Sequence, residues 1–296
     1  MEASSMREGF SLSPTPQLRR RKAVGKLVEL SMLAAALAAV AMLGVVVWSV
    51  VQRGHGAITF DFFTKLPPGF LQHGGGIVNS IAGTIIIVSF ATLFALPIGV
   101  AIAIYASELA PREVRRLVGL VLDVLNGLPS IVIGIFIFAL LIVGHQQSAL
   151  AASLALAIIM LPLVARSTQE VLALVPEAQR EASLALGVSR WRTTFGVILP
   201  ASLGGIFTGA TLAIARAAGE TAPLLFTCSL TTSQLSWNPS QPLQSIPLTI
   251  FEYLESPNPE DHAKAWAAAL VLMTFVLVIS VISKLVLARS RRKLTR

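Results

Sequence analysis

Six long runs of apolar residues constrain the fold of this chain more than any other feature. Each reaches the length of about 17–25 residues that a helix needs to cross about 30 Å of hydrocarbon. Lipid offers backbone groups no hydrogen-bond partner, and the runs lack the alternation of a membrane strand, so each predicts a helix. The predicted spans are Leu27–Val51, Ile77–Tyr105, Leu117–Val143, Ala149–Ala165, Phe195–Leu225 and Ala265–Leu287. The sequence therefore predicts an all-α polytopic membrane protein with six transmembrane helices.

The composition excludes most soluble classes of protein. Of the 296 residues, 54% are hydrophobic and 13% are charged, whereas soluble domains are about a quarter charged. The single cysteine, Cys228, rules out an internal disulfide and the paired-cysteine spacings of zinc or redox sites. The four histidines fall in predicted loops without metal-ligand spacing, so we predict no metal site.

The basic residues predict the orientation of the chain. The formal net charge is +8, with 23 Lys and Arg. Nineteen of these lie near the two termini or in alternate connections, and only Arg53, Lys65 and Lys264 lie in the other connections. By the positive-inside rule both termini are cytoplasmic, so the charge reflects topology rather than nucleic-acid binding. The first run, of about 25 residues, exceeds a signal-peptide core and predicts a retained helix.

A short surface helix is predicted between the fourth and fifth spans, in residues 176–187. Pro176 is typical of a helix start, and Gly187 favours a helix end. The predicted apolar face consists of Ala178, Ala182, Ala185 and Leu186, while Glu177, Arg180 and Glu181 face water or a partner. From periodicity alone, a solvated connecting helix is the simpler interpretation.

Arg216 and Glu220 are ionisable residues inside the fifth predicted span. Their spacing places them on one helical face, and burying such a group costs about 2.5–3.5 kcal/mol on insertion scales, so they should face a cavity or a partner. One interpretation is a structural ion pair. The other is that Arg216 binds a translocated anion, while Glu220 weakens the site enough for release. Arg166, at the inner end of the fourth span, is a second candidate anion contact or a positive-inside anchor.

The predicted surface helix resembles a known motif. Glu181-Ala182, Gly187 and Leu199-Pro200 are similar to the EAA loop of ABC importer permeases, with Ser183 in place of the third small residue. In that family the short helix docks in a cleft of the ATPase subunit and transmits its closure to the membrane helices. The ATPase-coupling residues that this resemblance implies are Glu181, Ala182, Ser183 and Gly187. No GxxxxGK[ST] sequence occurs in the chain, so the ATPase would be a separate protein.

Several longer segments resemble the PstA family, which are permease subunits of bacterial phosphate ABC importers. They are Gly74–Thr84, Ala95–Tyr105 with Ser107-Glu108, Asn126–Phe136 and Ala215–Leu225. The run Arg-Ala-Ala-Gly-Glu-Thr-Ala-Pro that begins at Arg216 is the most specific. The substrate-pathway residues that the resemblance and the charge pattern imply are Arg216, Glu220, Arg166, Thr221 and Ser130.

The resemblance also implies a fold, a set of partners and a location. The fold is the MetI-like fold of ABC importer permeases. The partners are a sister permease PstC, a PstB ATPase dimer that uses ATP and a periplasmic phosphate-binding protein PstS, in the bacterial inner membrane. No cofactor is expected in this chain.

The resulting organisation has five parts. They are a basic cytoplasmic tail (1–26), a first transmembrane helix (27–51), a periplasmic loop (52–76), a permease core (77–288) and a second basic tail (289–296). The core contains the coupling loop 176–200 and a second periplasmic loop, 229–264. The two periplasmic loops are expected to form a docking surface with a lid-like role, or simply to connect spans.

Two other functions stay open at this point. A permease for another oxyanion, such as sulfate or molybdate, could bind its substrate with the same arginine. A proton-coupled secondary transporter or channel would use Glu220 as a proton carrier and would need no coupling helix. An intramembrane enzyme is disfavoured because the sequence has no HExxH motif and no evident pair of nucleophile and base.

Overall fold

The computed structural model describes residues 16–68, 74–229 and 234–294, and all regular elements in these ranges are helical. The chain divides into two compact units, Met1–Val50 and Val51–Arg296. The helices are α1 (Pro16–Gly54), α2 (Phe60–Thr64), α3 (Val78–Ile104), α4 (Arg112–Gly127), α5 (Ser130–Ile137), α6 (Ala149–Ala173), α7 (Glu177–Ala185), α8 (Arg190–Thr193), α9 (Leu199–Ala218), α10 (Leu224–Thr227), α11 (Ile246–Glu255) and α12 (Pro259–Leu294). Single π-helical turns extend α3 to Leu109 and α5 to Ile142, and another joins α8 to α9.

Within the described residues, five helical segments are long and apolar enough to cross a membrane. They are Arg20–Ala57, Val78–Leu109, Ala149–Ala173, Arg190–Ala218 and Pro259–Leu285. A sixth span exists where α4 and the extended α5 are counted together. The prediction of a multi-pass helical membrane protein is therefore confirmed, and the cytoplasmic position of both termini stays a prediction.

The third predicted span is broken rather than continuous. α4 and α5 meet at an angle of 94°. Pro129 explains the break, because it lacks a backbone N–H and forces the preceding Leu128 out of the helical region, to φ −69° and ψ 134°. α4 has 16 residues, too few to cross the hydrocarbon alone. Leu117, Leu120 and other apolar side chains of α4 are exposed.

The centre of the second unit is formed by α3, α6 and α9, and small residues let these helices approach closely. A Cβ at Gly209 would lie 2.7 Å from the Cβ of Ser167, and one at Gly99 would lie 2.9 Å from a methyl carbon of Val164. Gly205 lies equally close to Val171. Small residues on these helices therefore permit close helix packing.

The long connection between α9 and α12 is largely part of the packed structure. α11 occupies its second half, and α12 begins at Pro259, before the predicted span start at Ala265. The Oγ1 of Thr249 and the Oγ of Ser80 are 2.6 Å apart, and Thr84 accepts a hydrogen bond from the backbone N–H of Ile246 at 2.8 Å. Burial of residues 243–249 against α3 does not support a mobile lid in this part of loop 229–264.

The other long connection, 52–76, is also partly ordered. A 3₁₀ turn, His55–Ala57, precedes α2, and Phe62 is almost completely buried. Gly76 lies so close to the α2 backbone that a Cβ there would be 2.5 Å from the carbonyl oxygens of Asp61 and Phe62. Residues 69–73 of this predicted loop and residues 230–233 of the other lie outside the described residues.

Candidate functional site

Arg216 and Glu220 meet at the end of α9. The helix stops at Ala218, and Gly219 forms its cap, with the N–H of Glu220 donating to the carbonyl of Ala217 at 3.2 Å. The Nε of Arg216 lies 3.5 Å from the Oε1 of Glu220, so the predicted pairing is present. The two side chains differ in burial, since that of Arg216 is 55% exposed and that of Glu220 is 17% exposed. The Arg216 side chain therefore reaches the surface of this chain.

The two segments that carry the family-specific pattern touch each other. A Cβ at Gly134, in α5, would lie 2.6 Å from the Cα of Pro223, four residues after Gly219. Ser130 begins α5 one turn before Gly134 and is partly buried, as is Thr221. No hydrogen bond or ion pair joins Ser130 to Arg216 in the described parts of the chain. The structure thus brings their segments together without joining the side chains.

Arg166 has a different environment from the predicted one. α6 continues to Ala173, so Arg166 lies within a helix rather than at its inner end. Its guanidinium binds the Oδ1 of Asp123 at 2.5 Å and the carbonyl of Gly119 at 2.8 Å, both in α4, and the Oε1 of Gln169 at 3.1 Å. Arg166 therefore attaches α4 to α6. This structural contact competes with anion binding.

The predicted short helix is present as α7. Pro176 precedes it, and Gly187 follows with φ of +79°, a conformation that favours glycine. The N–H of Gly187 donates to Leu184 and that of Val188 to Ser183, which satisfies carbonyls at the helix end. The prediction that Gly187 lets the chain leave the helix is confirmed.

The orientation of α7 differs from the prediction. The predicted apolar face does not pack against this chain: its members Ala178, Ala182, Ala185 and Leu186 are exposed, with Leu186 at 83%. Glu181 is exposed as well. Arg180, predicted to face water or a partner, instead points inward and is 17% exposed. Ser183 contacts the Oγ1 of Thr193 at 2.9 Å. The helix thus presents its small and apolar side chains away from the chain that carries it.

Arg180 attaches α7 to two other helices. One nitrogen lies 2.9 Å from the Oε1 of Glu108 and also donates to the carbonyl of Leu172, near the end of α6. The other donates to Glu177 and to the carbonyl of Val175. Burial lowers the pKa of Arg180, but its bonds with Glu108 and Glu177 outweigh this effect, and the net shift is upward.

A cavity of about 630 Å³ opens beside these contacts. Its charged lining residues are Glu108, Arg115, Arg166, Glu177, Arg180 and Arg190. Arg115 caps the end of α3 by donating to the carbonyls of Ala106 and Ser107. Most of the positive charge is thus already used in bonds within the chain. In the parts of the chain that the structure describes, no three His, Cys, Asp or Glu side chains form a possible metal site.

Glu108 and Asp123, which bind Arg180 and Arg166, were not predicted as functional. Glu108 is an isolated acidic residue just after the second predicted span, and this isolation is the sequence feature that could have identified it. Asp123 is the only acid between Glu113 and Gly127, but sequence spacing does not bring it to Arg166, 43 positions away. Both contacts depend on how helices distant in sequence pack.

Comparison with known proteins agrees with this architecture. Residues 95–292 match the family of binding-protein-dependent transport system inner membrane components. The phosphate transport system permease protein PstA of Yersinia pestis is 37% identical over 251 residues, which cover 83% of this chain and 84% of that protein. PstA 1 of Mycobacterium tuberculosis is 37% identical over 258 residues, covering 83% and 82%. The inward-facing MetNI methionine ABC transporter has a TM-score of 0.58 at 20% identity, covering 73% of this chain and 94% of that one.

The helical core, the exposed α7 and the likeness to MetNI define the fold of an ABC importer permease. The chain belongs to the binding-protein-dependent transport permeases and, among them, to the PstA family. The predicted fold class and family are therefore confirmed.

Proposed function

We propose that this chain is a membrane permease subunit of an ATP-driven importer of inorganic phosphate. The observation that carries the proposal is 37% identity over 83% of the chain to a phosphate transport permease. The geometry supports it, since the exposed Arg216 lies in the run that is most specific to that family. Each half of the translocation path would come from one permease subunit.

Arg216 is the substrate-pathway residue in this proposal. Its planar guanidinium suits a tetrahedral oxyanion, because it donates paired hydrogen bonds and keeps its charge when water is excluded. Glu220 occupies only the Nε side, at 3.5 Å, so the terminal nitrogens stay available. The carboxylate also limits the positive potential, which a pathway needs because a site that binds too tightly does not release. Thr221 and Ser130 would contribute hydroxyl groups nearby, and Arg166 serves mainly to hold α4.

ATP hydrolysis would take place in a separate ATPase dimer of the PstB kind. α7 is the contact site: it presents Glu181, Ala182 and exposed apolar side chains to the outside of the chain. Ser183 would hold α7 against Thr193, and Gly187 would let the chain turn where the helix ends. Because a helix with a fixed end moves as one body, closure of the ATPases would displace α7 and, through it, the membrane helices.

The remaining partners follow from the family. A sister permease of the PstC kind would complete the path, and a periplasmic binding protein of the PstS kind would deliver phosphate. The charge distribution supports an orientation with both termini and α7 on the cytoplasmic side of the bacterial inner membrane. No cofactor is assigned to this chain.

The test is reconstitution of the chain with candidate PstC, PstB and PstS subunits. We expect a stable complex whose ATPase rate rises when phosphate-loaded binding protein is added. Glu181→Lys should reduce the amount of ATPase that co-purifies, whereas Glu113→Lys, an exposed charge reversal in α4, should not. Phosphate uptake that proceeds without any ATPase and follows a proton gradient would overturn the proposal in favour of a secondary transporter.

A further inference from the structure

α7 is held to its own chain by very few contacts. None of its residues is buried. Its polar contacts to other helices come from Arg180 and from Ser183, whose Oγ lies 2.9 Å from Thr193. A helix that receives force from a partner and has so little apolar packing depends on these polar contacts to pass the force onward.

The pair of Arg180 and Glu108 connects α7 to the end of α3. The two side chains are 17% and 10% exposed, and their nitrogen and oxygen are 2.9 Å apart. Glu108 lies in the π-helical turn that ends the 32-residue segment Val78–Leu109. A movement of this turn therefore acts directly on a helix at the centre of the membrane core.

The same arginine also holds the end of α6. It donates to the carbonyl of Leu172 at 2.8 Å and to that of Val175 at 3.0 Å, just after α6 ends. One guanidinium thus joins α7 with the ends of two spanning segments. The two side chains are largely buried, and the additional hydrogen bonds oppose their separation, because parting the pair would leave the Glu108 carboxylate without its arginine.

We propose that Glu108 and Arg180 are positioning residues that make α7 and the end of α3 move as one body during the transport cycle. This inference rests on the proposed function, since it assumes that α7 receives force from an ATPase. The pair transmits ATPase closure to α3 and contacts neither phosphate nor ATP. Ser183 and Thr193 link α7 only to α8, the next element in the chain, so they do not replace this connection.

Glu177 provides a matched control for Glu108. Both carboxylates bind the guanidinium of Arg180, at 3.0 Å and 2.9 Å. Glu177 is 71% exposed and belongs to α7 itself, so its bond joins no second helix. Neutralising either residue removes one negatively charged partner of the same arginine, but only Glu108→Gln disconnects α7 from α3.

The first experiment measures phosphate transported per ATP hydrolysed in the reconstituted complex. Changes in elements that couple two sites commonly alter the coupling by about 2- to 30-fold. We expect Glu108→Gln and Arg180→Lys to lower the ratio by an amount in this range, with normal co-purification of the ATPase, and Glu177→Gln to leave it unchanged. Glu108→Asp, which keeps the charge, should retain part of the coupling. An unchanged ratio in Glu108→Gln, or an equal loss in Glu177→Gln, would overturn the proposal.

The second experiment measures the movement without reference to any substrate. Spin labels at Gln179→Cys and Tyr105→Cys would report the distance between exposed positions on α7 and on the end of α3, while Cys228 is buried and does not react. We expect the same distance distribution with and without ATP in the otherwise unchanged complex, and a broadened or ATP-dependent distribution when Glu108→Gln is added. If the complexes with and without Glu108→Gln gave the same distance distributions, the proposed linkage of α7 and α3 would be contradicted. Failure of the unmodified complex to import phosphate would reject the proposed function but leave this distance test intact.

Discussion

The Nε of Arg216 lies 3.5 Å from the Oε1 of Glu220 although α9 ends between the two residues. The backbone turn at Gly219 carries Glu220 back toward the helix, so the pairing does not need a continuous helix. The Arg216 side chain stays 55% exposed in this arrangement. An anion-binding arginine needs accessible nitrogens, and the exposure of Arg216 is compatible with that role.

Replacing Arg216 by Gln should abolish phosphate uptake while the complex still assembles. The side chain is only partly packed against its own chain, so its loss removes charge and donors rather than core contacts. Radiolabelled phosphate uptake and co-purification of the partner subunits would measure the two effects. Arg53→Gln, which makes the same change on a predicted outer connection, serves as the control. Normal uptake by the Arg216→Gln complex would exclude a role in the pathway.

Gly187→Ala should loosen the connection between the permease and its ATPase. The residue has φ of +79°, where an L side chain costs about 1–2 kcal/mol, although nothing lies within 4 Å of the new Cβ. Gly196→Ala is the matched control, since that site is equally open and its φ is not positive. The measurement is the amount of ATPase retained per permease during purification. Equal retention by both variants would show that the end of α7 tolerates another conformation.

Gly205→Ala should lower the thermal stability of the protein by overpacking the contact between α6 and α9. The new Cβ would lie 3.0 Å from the Cβ of Val171 and closer still to both methyl carbons, so a cost of about 1–3 kcal/mol is expected. Adding Val171→Ala removes the obstructing methyl groups. Thermal unfolding in detergent should therefore show a smaller penalty for Gly205→Ala in that background. If Gly205→Ala lowered the thermal stability equally with Val171 and with Val171→Ala, the strain would not arise from the contact with Val171.

Arg166 and Asp123 should behave as one structural unit. Because their contact joins α6 to α4, Arg166→Gln and Asp123→Asn should each lower the melting temperature, and the double variant should lose less than the sum of the two. Thermal unfolding of the four proteins completes the cycle. A stable Asp123→Asn variant together with lost uptake in Arg166→Gln would instead assign Arg166 to the anion pathway.

Glu252→Gln should make the protein more stable at neutral pH. Burial raises the pKa of Glu252, and the charge of Asp261 adds to this, against a lowering by the 2.6 Å hydrogen bond from Gln244. A carboxyl with a raised pKa in the folded state favours folding most at low pH and loses this contribution as pH rises through the folded value. The advantage of the variant should thus vanish below about pH 4, near the ordinary pKa of Glu. A variant less stable at pH 7 than at pH 4, relative to the unmodified protein, would contradict this sign.

The sequence predicts those parts of the fold that depend on local chemistry. Apolar runs locate the spanning helices, since the bilayer imposes a length that few other structures share. Pro176 and Gly187 bracket α7 closely, because a fixed φ and a positive φ are local requirements. The pairing of Arg216 with Glu220 agrees with their spacing of four residues, but the turn at Gly219 rather than a continuous helix brings the two together.

Features that depend on helix packing were not predictable in the same way. Composition alone does not distinguish a continuous third span from one broken at Pro129, because both halves are apolar enough to pass as one run. The inward direction of Arg180 was missed because its partner, Glu108, is 72 positions away. The burial of residues 243–249 against α3 likewise depends on Gly83, which lets the returning chain approach the helix.

The most direct test of the phosphate assignment is ATP-dependent uptake of labelled phosphate into vesicles that contain this chain with its sister permease, ATPase and binding protein. Sulfate and molybdate serve as competitors. We expect uptake that requires this chain and ATP, and that neither competitor reduces. Uptake of sulfate or molybdate that phosphate does not affect would contradict the phosphate assignment.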